Sequence, residues 1–243
     1  MEKERKRKVL GRCVPIWVAI PLLIALIAFM PLVNAQEGQV TLNPTDDTYT
    51  DWWNDESNYG AKSEVKVGNS GGDYADYVYH AWLKFDLSSV PDGAVGVTAI
   101  LELYECSLFG ISETHNVSAY LCLDNSWSEY TLKEINEPFY NTTSCLDWTL
   151  VHTSETWYSW NVTKAVKNAT TLTIVLEESW DHEGAKYVEF NSKEAESNIP
   201  KLTIAWTGII PEFPTWAPLL LVILTLTVTI AIYKRRLLKT PIH

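Results

Sequence analysis

The chain has 243 residues, with 30 acidic and 19 basic side chains and a net charge of −11 at pH 7. The excess of acid lies between the termini, where 27 acidic and nine basic residues leave a net charge of −18. A surface of that sign repels phosphate groups, so nucleic acid is excluded as a partner. This central segment, about 175 residues long, has the size of one domain.

The chain begins in the way that exported proteins begin. The first eight residues, MEKERKRK, are mostly charged, and residues 14–33 contain no charge. Small side chains at Val33 and Ala35 favour cleavage before Gln36, which makes residues 1–35 a signal peptide. The alternative is an uncleaved signal anchor, because the apolar run of about 20 residues is long enough to span a bilayer. Both alternatives place the following residues outside the cell.

The central segment is a series of short runs in which apolar and polar residues alternate. The runs fall at 40–42, 65–67, 77–85, 101–103, 117–121, 158–162, 172–176, 188–190 and 202–206. Gly, Pro, Asn, Asp and Ser separate them, a pattern that predicts β-strands and turns. No apolar stripe with helical spacing appears between the termini. We therefore predict an all-β fold, a jelly-roll β-sandwich that forms an ectodomain over residues 36–208.

The C-terminal part predicts one transmembrane helix at residues 216–233. These 18 residues carry no charge, and four basic residues follow within six positions. The length suits a bilayer, and the basic tail, residues 234–243, belongs on the cytoplasmic side. Two prolines make residues 209–215 an extended linker. The prediction is a single-pass protein of the cell membrane with an extracellular ectodomain.

Four Asn-x-Ser/Thr sequences lie in the predicted ectodomain. Such asparagines accept N-linked glycans only outside the cytoplasm, in agreement with export. The predicted glycosylation sites are Asn116, Asn141, Asn161 and Asn168.

Three cysteines remain once Cys13 in the export segment is set aside. If residues 97–106 and 116–123 form a hairpin, Cys106 and Cys122 are about 20 Å apart along it, too far for a disulfide. Any disulfide then involves Cys145, and the preferred pair is Cys122–Cys145.

One strand carries the residues that we predict to bind carbohydrate. In YHAWLKFDL, residues 79–87, the odd-numbered side chains are apolar, and His80, Trp82 and Lys84 share the other face. Sugar rings stack on flat aromatic faces beside a few polar groups, so these three residues are a candidate platform. The alternative is that Trp82 packs under a loop. Trp52, Trp53 and Trp127 are further aromatic candidates.

Calcium is the metal that the composition favours. Ca²⁺ takes oxygen ligands from loops, and Asp47, Asp73 and Asp76 are the candidate ligands of a structural ion. The alternative is a solvated acidic loop. The histidines lack the spacing of a zinc site. Carboxylates are too frequent to assign a catalytic pair, which leaves a polysaccharide-degrading enzyme as the least favoured function.

Five segments resemble one family in the same order. They are DDTYTDWWNDESNYGAKSEVKVGN (46–69), YHAWLKFDLSSVPDGAVGVTAILELY (79–104), VSAYLCLDNSWSEYTL (117–132), WYSWNVTKAVKN (157–168) and VEFNSKEAESNIPKLTIAW (188–206). Together they resemble the DNRLRE-type or disaggregatase-related domain, carbohydrate-binding module family 96. The family commonly has Arg at the position of His80 and Asp at the position of Asn161. The resemblance implies a jelly-roll β-sandwich that binds polysaccharide or acts as a spacer in cell-surface proteins.

The last segment has a resemblance of its own. IIPEFPTWAPLLLVILTLTVTIAIYKRRLL (209–238) is similar to the Pro-Glu-Phe segments of archaeal surface proteins, which are either anchors or removable sorting signals.

These observations favour a non-catalytic cell-surface module that binds extracellular or cell-wall polysaccharide. The alternative is a structural surface-layer or adhesion protein that binds no sugar and has other surface-layer proteins as partners.

Overall fold

The computed structural model describes residues 37–69, 78–109, 114–166, 169–178 and 186–209, and residues 223–225, 227–228 and 230. The predicted signal peptide and cytoplasmic tail lie outside these ranges, as does nearly all of the predicted linker. The described residues after 209 are helical, but no helix within the described ranges has the length and apolar character needed to cross a membrane.

The described residues form thirteen strands and three short 3-10 helices. The 3-10 helices are Trp52–Asn54, Glu134–Asn136 and Thr163–Ala165. The strands are β1 (Gly38–Leu42), β2 (Asp46–Asp51), β3 (Glu64–Asn69), β4 (Val78–Asp86), β5 (Ala94–Val95), β6 (Thr98–Phe109), β7 (His115–Cys122), β8 (Cys145–Val151), β9 (Trp157–Asn161), β10 (Thr171–Glu178), β11 (Lys186–Asn191), β12 (Lys201–Trp206) and β13 (Gly208–Ile209).

Eleven of the strands belong to one antiparallel sheet in the order β1-β12-β6-β11-β3-β4-β10-β7-β8, with β2 beside β4 and β9 beside β6. The long strand β6 pairs with β9 and β12 through its first half and with β11 through its second half. It therefore belongs to both halves of the sheet, which curls so that the halves face each other.

Apolar side chains from the two halves meet in one core. Trp160 of β9 is fully buried, contacts the ring edge of Phe190 on β11, and donates its indole N–H to the carbonyl of Val117 on β7 at 2.8 Å. Leu83 and Phe85 of β4 reach the same core, as their alternation predicts. The predicted all-β sandwich is confirmed.

The predicted hairpin between residues 97–106 and 116–123 is wrong. Strand β6 pairs with β9, β11 and β12, whereas β7 pairs with β8 and β10. The neighbours of β6 along the sheet come from later parts of the chain, so the next strand in sequence joins the other half of the sandwich.

The predicted Cys122–Cys145 disulfide is also wrong, because Cys106, Cys122 and Cys145 are all free thiols. Cys145 lies opposite Tyr120 on β7, and Cys122 is two residues further along that strand. The strand rise and the strand spacing together separate the two Cα atoms by about 8 Å, beyond the reach of a disulfide. Cys122 is buried, whereas the exposed Cys145 donates its S–H to the carbonyl of Asp147.

Candidate functional site

A long connection covers the outer face of the sheet at β4 and β10. It comprises residues 123–144, between β7 and β8, and we call it the covering loop. On that outer face Trp82 of β4 lies opposite Val175 of β10 in the sheet register. The loop packs Trp127, Leu132 and Tyr140 against them in a second apolar cluster, separate from the main core. Two large apolar side chains on an outward face require such a cover.

Trp82 is therefore fully buried. Its ring makes edge contacts with Trp127 and Tyr140, with centroids 6.0 and 5.5 Å away. Its indole N–H donates to Thr50 Oγ1 at 3.3 Å. Contrary to the prediction, Trp82 forms no exposed stacking platform, because the alternation that turns it away from the main core turns it under the loop.

The other two residues of the predicted platform hold the loop in place. His80 Nδ1 lies 3.3 Å from Glu137 of the loop. Burial lowers the pKa of His80, but Glu137 and the charges of Glu177 and Glu134 outweigh it, so the pKa is raised above its usual value. Lys84 donates to the carbonyl of Trp127 and lies 4.3 Å from the centre of its ring.

The segment Asn58-Tyr59-Gly60 also contacts the covering loop and helps to hold it in place. The amide of Asn58 donates to the carbonyls of Glu129, at 2.6 Å, and Leu132, at 2.8 Å. Gly60 lies so close to the loop that a Cβ atom there would be 2.1 Å from the Glu129 carbonyl oxygen. A glycine is required at this position by close approach of two backbones.

Two adjacent tryptophans are exposed just after β2, in the 3-10 helix Trp52–Asn54. Asp51 caps this helix and accepts the backbone N–H of Trp53 at 3.0 Å. The helix leaves Trp52 42% exposed and Trp53 64% exposed. With Asp55 and Glu134 they line an open pocket of about 380 Å³, which we call the Trp52–Trp53 pocket.

Backbone contact with the covering loop completes this pocket. The N–H of Ile135 donates to the carbonyl of Asp55 at 3.3 Å, which places Glu134 beside the two indoles. Partial burial and the nearby carboxylates of Glu137 and Asp55 raise the pKa of Glu134. The pocket thus combines aromatic faces with carboxylate acceptors, the combination that binds the C–H face and the hydroxyl groups of a sugar.

Sequence reasoning named Trp52 and Trp53 as candidates but placed the platform on a different segment, the strand at residues 79–87. A signal was present, because adjacent side chains of an extended strand point to opposite faces. Two consecutive tryptophans followed by Asn54 and Asp55 therefore indicate that at least one indole is turned to solvent near a turn.

Of the predicted calcium ligands, the structure describes Asp47; Asp73 and Asp76 lie outside the described residues. Asp47 is buried on β2, and its carboxylate meets those of Glu129 and Glu194. One carboxylate oxygen of each lies within 4.8 Å of the other two. Sequence reasoning did not identify Glu129 or Glu194, since they are distant from Asp47 along the chain.

The predicted glycosylation sites differ in their surroundings. Asn141 and Asn161 are exposed, whereas Asn116 is partly buried and its Oδ1 has no hydrogen-bond partner among the described residues. Asn168 lies outside the described residues. Asn161 Oδ1 accepts the N–H of Thr163 at 3.1 Å.

Comparison with models of protein families identifies the family of this chain. The model of the family described as carbohydrate-binding module family 96 matches residues 38–206. The chain belongs to this family. The match extends from β1 to β12, so the family-96 module includes the whole sandwich, the covering loop and the Trp52–Trp53 pocket. No curated protein matches the chain.

Proposed function

We propose that this family-96 module is a non-catalytic cell-surface protein that binds extracellular or cell-wall polysaccharide through the Trp52–Trp53 pocket. The observation that carries the proposal is the pair of adjacent, exposed indoles beside two carboxylates in a carbohydrate-binding family. Contact between two aromatic rings contributes about 0.5–1.5 kcal/mol beyond the burial of their area, and we expect a similar contribution from a sugar ring stacked on an indole. Two such faces suit two successive sugar units of a polymer.

The charges of the pocket favour a neutral polysaccharide. Asp55 and Glu134 accept hydrogen bonds from sugar hydroxyls, and they repel the carboxylates of a uronate polymer or the sulfates of a sulfated one. The net charge of −18 between the termini has the same effect at longer range.

The proposal also covers the placement of the module. A cleaved signal peptide at residues 1–35, a transmembrane helix at 216–233 and a basic tail at 234–243 would anchor the ectodomain outside the cell. The charge pattern of both termini supports this arrangement. The same proposal includes a relationship to DNRLRE-type domains and to archaeal surface proteins. It also includes the jelly-roll connectivity and N-linked glycans at the exposed Asn141 and Asn161.

A glycan array tests the proposed function. The full-length protein, purified in detergent because its terminal segments are apolar, is compared with Trp53→Ala and with Trp148→Ala. Trp148 is a matched control, since it is 57% exposed on β8 outside the pocket. We expect binding to neutral polysaccharides that falls about tenfold in Trp53→Ala, the loss of one stacked ring, and is unchanged in Trp148→Ala.

Three other results would contradict the proposal. A folded protein that binds no glycan favours a structural surface-layer or adhesion role. Equal losses in the two variants place the binding surface elsewhere. Release of reducing ends from a bound polysaccharide shows an enzyme.

A further inference from the structure

Three distant parts of the chain bring carboxylates together next to the covering loop. Asp47 belongs to β2, Glu129 to the loop, and Glu194 to the turn after β11. Their oxygens lie within 4.8 Å of one another. Carboxylates this close repel each other strongly in a buried position, so the folded chain requires positive charge there.

The surroundings of Asp47 indicate that the protein's own groups do not fully supply the positive charge that this cluster requires. The residue is 1% exposed, and its Oδ2 accepts the backbone N–H of Lys193 at 2.7 Å. Its Oδ1 is buried with no hydrogen-bond partner among the described residues. A buried carboxylate oxygen without a donor is rare in folded proteins and points to a bound cation.

Counting the charges gives the valence of that cation. Lys193 pairs with Glu129 at 2.9 Å and also with Glu194. The adjacent Asp46 accepts the N–H of Glu129 at 3.2 Å and pairs with Lys84 at 3.4 Å. Four carboxylates thus face two ammonium groups, and the excess of two negative charges equals the charge of one divalent ion.

We propose that Asp47, Glu129 and Glu194 bind a calcium ion that ties the covering loop to β2 and to the turn after β11. All three donors are hard oxygen atoms, which Ca²⁺ prefers, and the nitrogen and sulfur ligands typical of zinc are missing from this cluster. Ca²⁺ also tolerates irregular coordination better than Mg²⁺, as suits ligands from three separate segments.

Thermal unfolding of the full-length protein in detergent, after treatment with EGTA, tests this site. Sites in extracellular modules bind Ca²⁺ with Kd values down to about 10⁻⁴ M, so 10 mM CaCl₂ would favour the folded state about 100-fold. For a domain of this size the expected rise in Tm is roughly 5–10 °C. MgCl₂ at the same concentration should give a smaller rise.

Variants locate the effect. In Asp47→Asn and Glu194→Gln the rise with CaCl₂ should disappear, whereas Glu102→Gln, a surface carboxylate paired with Lys201 on β12, should keep it. Glu194 is partly exposed, so its variant is expected to fold even if that of the buried Asp47 does not. Tb³⁺ luminescence excited through tryptophan gives a second readout, because Trp127 is two residues from Glu129.

Two outcomes would overturn the calcium site. The first is a wild-type Tm that does not respond to CaCl₂; a higher Tm in Asp47→Asn would then show that protons and Lys193 neutralise the cluster. A calcium response that persists in Asp47→Asn and Glu194→Gln places the ion elsewhere.

Discussion

Replacement of Trp82 by alanine should weaken the fold rather than remove a sugar contact. The indole is fully buried between β4 and the covering loop, and a buried tryptophan removes about 150–250 Å² from water. At about 25 cal/mol per Å² this burial contributes roughly 4–6 kcal/mol. Trp→Ala substitutions in cores cost about 3–5 kcal/mol, and Thr50 also loses its hydrogen-bond donor. For a domain of this size the Tm should fall by roughly 6–20 °C.

The assay is thermal unfolding of the full-length protein in detergent, followed by circular dichroism, with Trp53→Ala as control. Trp53 is 64% exposed, so its removal should change the Tm by no more than a few degrees. Sugar affinity, measured well below the Tm, should respond in the opposite order, with Trp53→Ala the weaker binder. A Trp82→Ala protein with an unchanged Tm and lost sugar binding would refute the structural argument and restore the predicted platform.

Three further predictions concern the covering loop and the cysteines of the sandwich. Because the pKa of His80 is raised, its ion pair with Glu137 stabilises the fold fully below about pH 6.5, and this stabilisation is lost as the pH rises through the folded-state pKa. The difference in Tm between wild type and Glu137→Gln should therefore shrink from pH 6 to pH 9, and a constant difference would contradict this pair. Maleimide should label two of the three cysteines of the predicted ectodomain in the folded protein and Cys122 only after unfolding, and a disulfide found by peptide mapping would contradict the free thiols. Gly60→Ala should lower stability by about 1–3 kcal/mol in denaturant unfolding, because its Cβ would overlap the carbonyl of Glu129, and an unchanged midpoint would show that the loop shifts freely.

Alternation in the sequence predicted most strands but not their partners. All nine predicted runs overlap strands within the described residues, since a strand buried on one face must alternate. Strand β2 was missed because its sequence, DDTYTD, is mostly polar even though five of its six residues are buried. Pairing depends on contacts between distant segments, so the expected hairpin of β6 with β7 was wrong.

The candidate site was less predictable than the fold for a related reason. The polar and apolar mixture of His80, Trp82 and Lys84 shows that this face of β4 is turned away from the main core. It does not show whether water or a loop lies against that face. The covering loop has no alternation of its own that reveals its position. Its contacts with Asn58 and Gly60 bring together residues about 70 positions apart in the chain.

The covering loop links the stability of the fold to the proposed recognition of sugar. Its inner surface is occupied by Trp82, His80 and Lys84, so that surface is closed to a polysaccharide. The loop also supplies Glu134 to the Trp52–Trp53 pocket, and the position of Glu134 relative to the indoles depends on how firmly the loop is held. Hydrogen bonds from Asn58 and the ion pair between Lys193 and Glu129 hold one end, and Glu137 holds the other. The buried contacts that stabilise the outer face of β4 therefore also determine the shape of the proposed sugar-binding pocket.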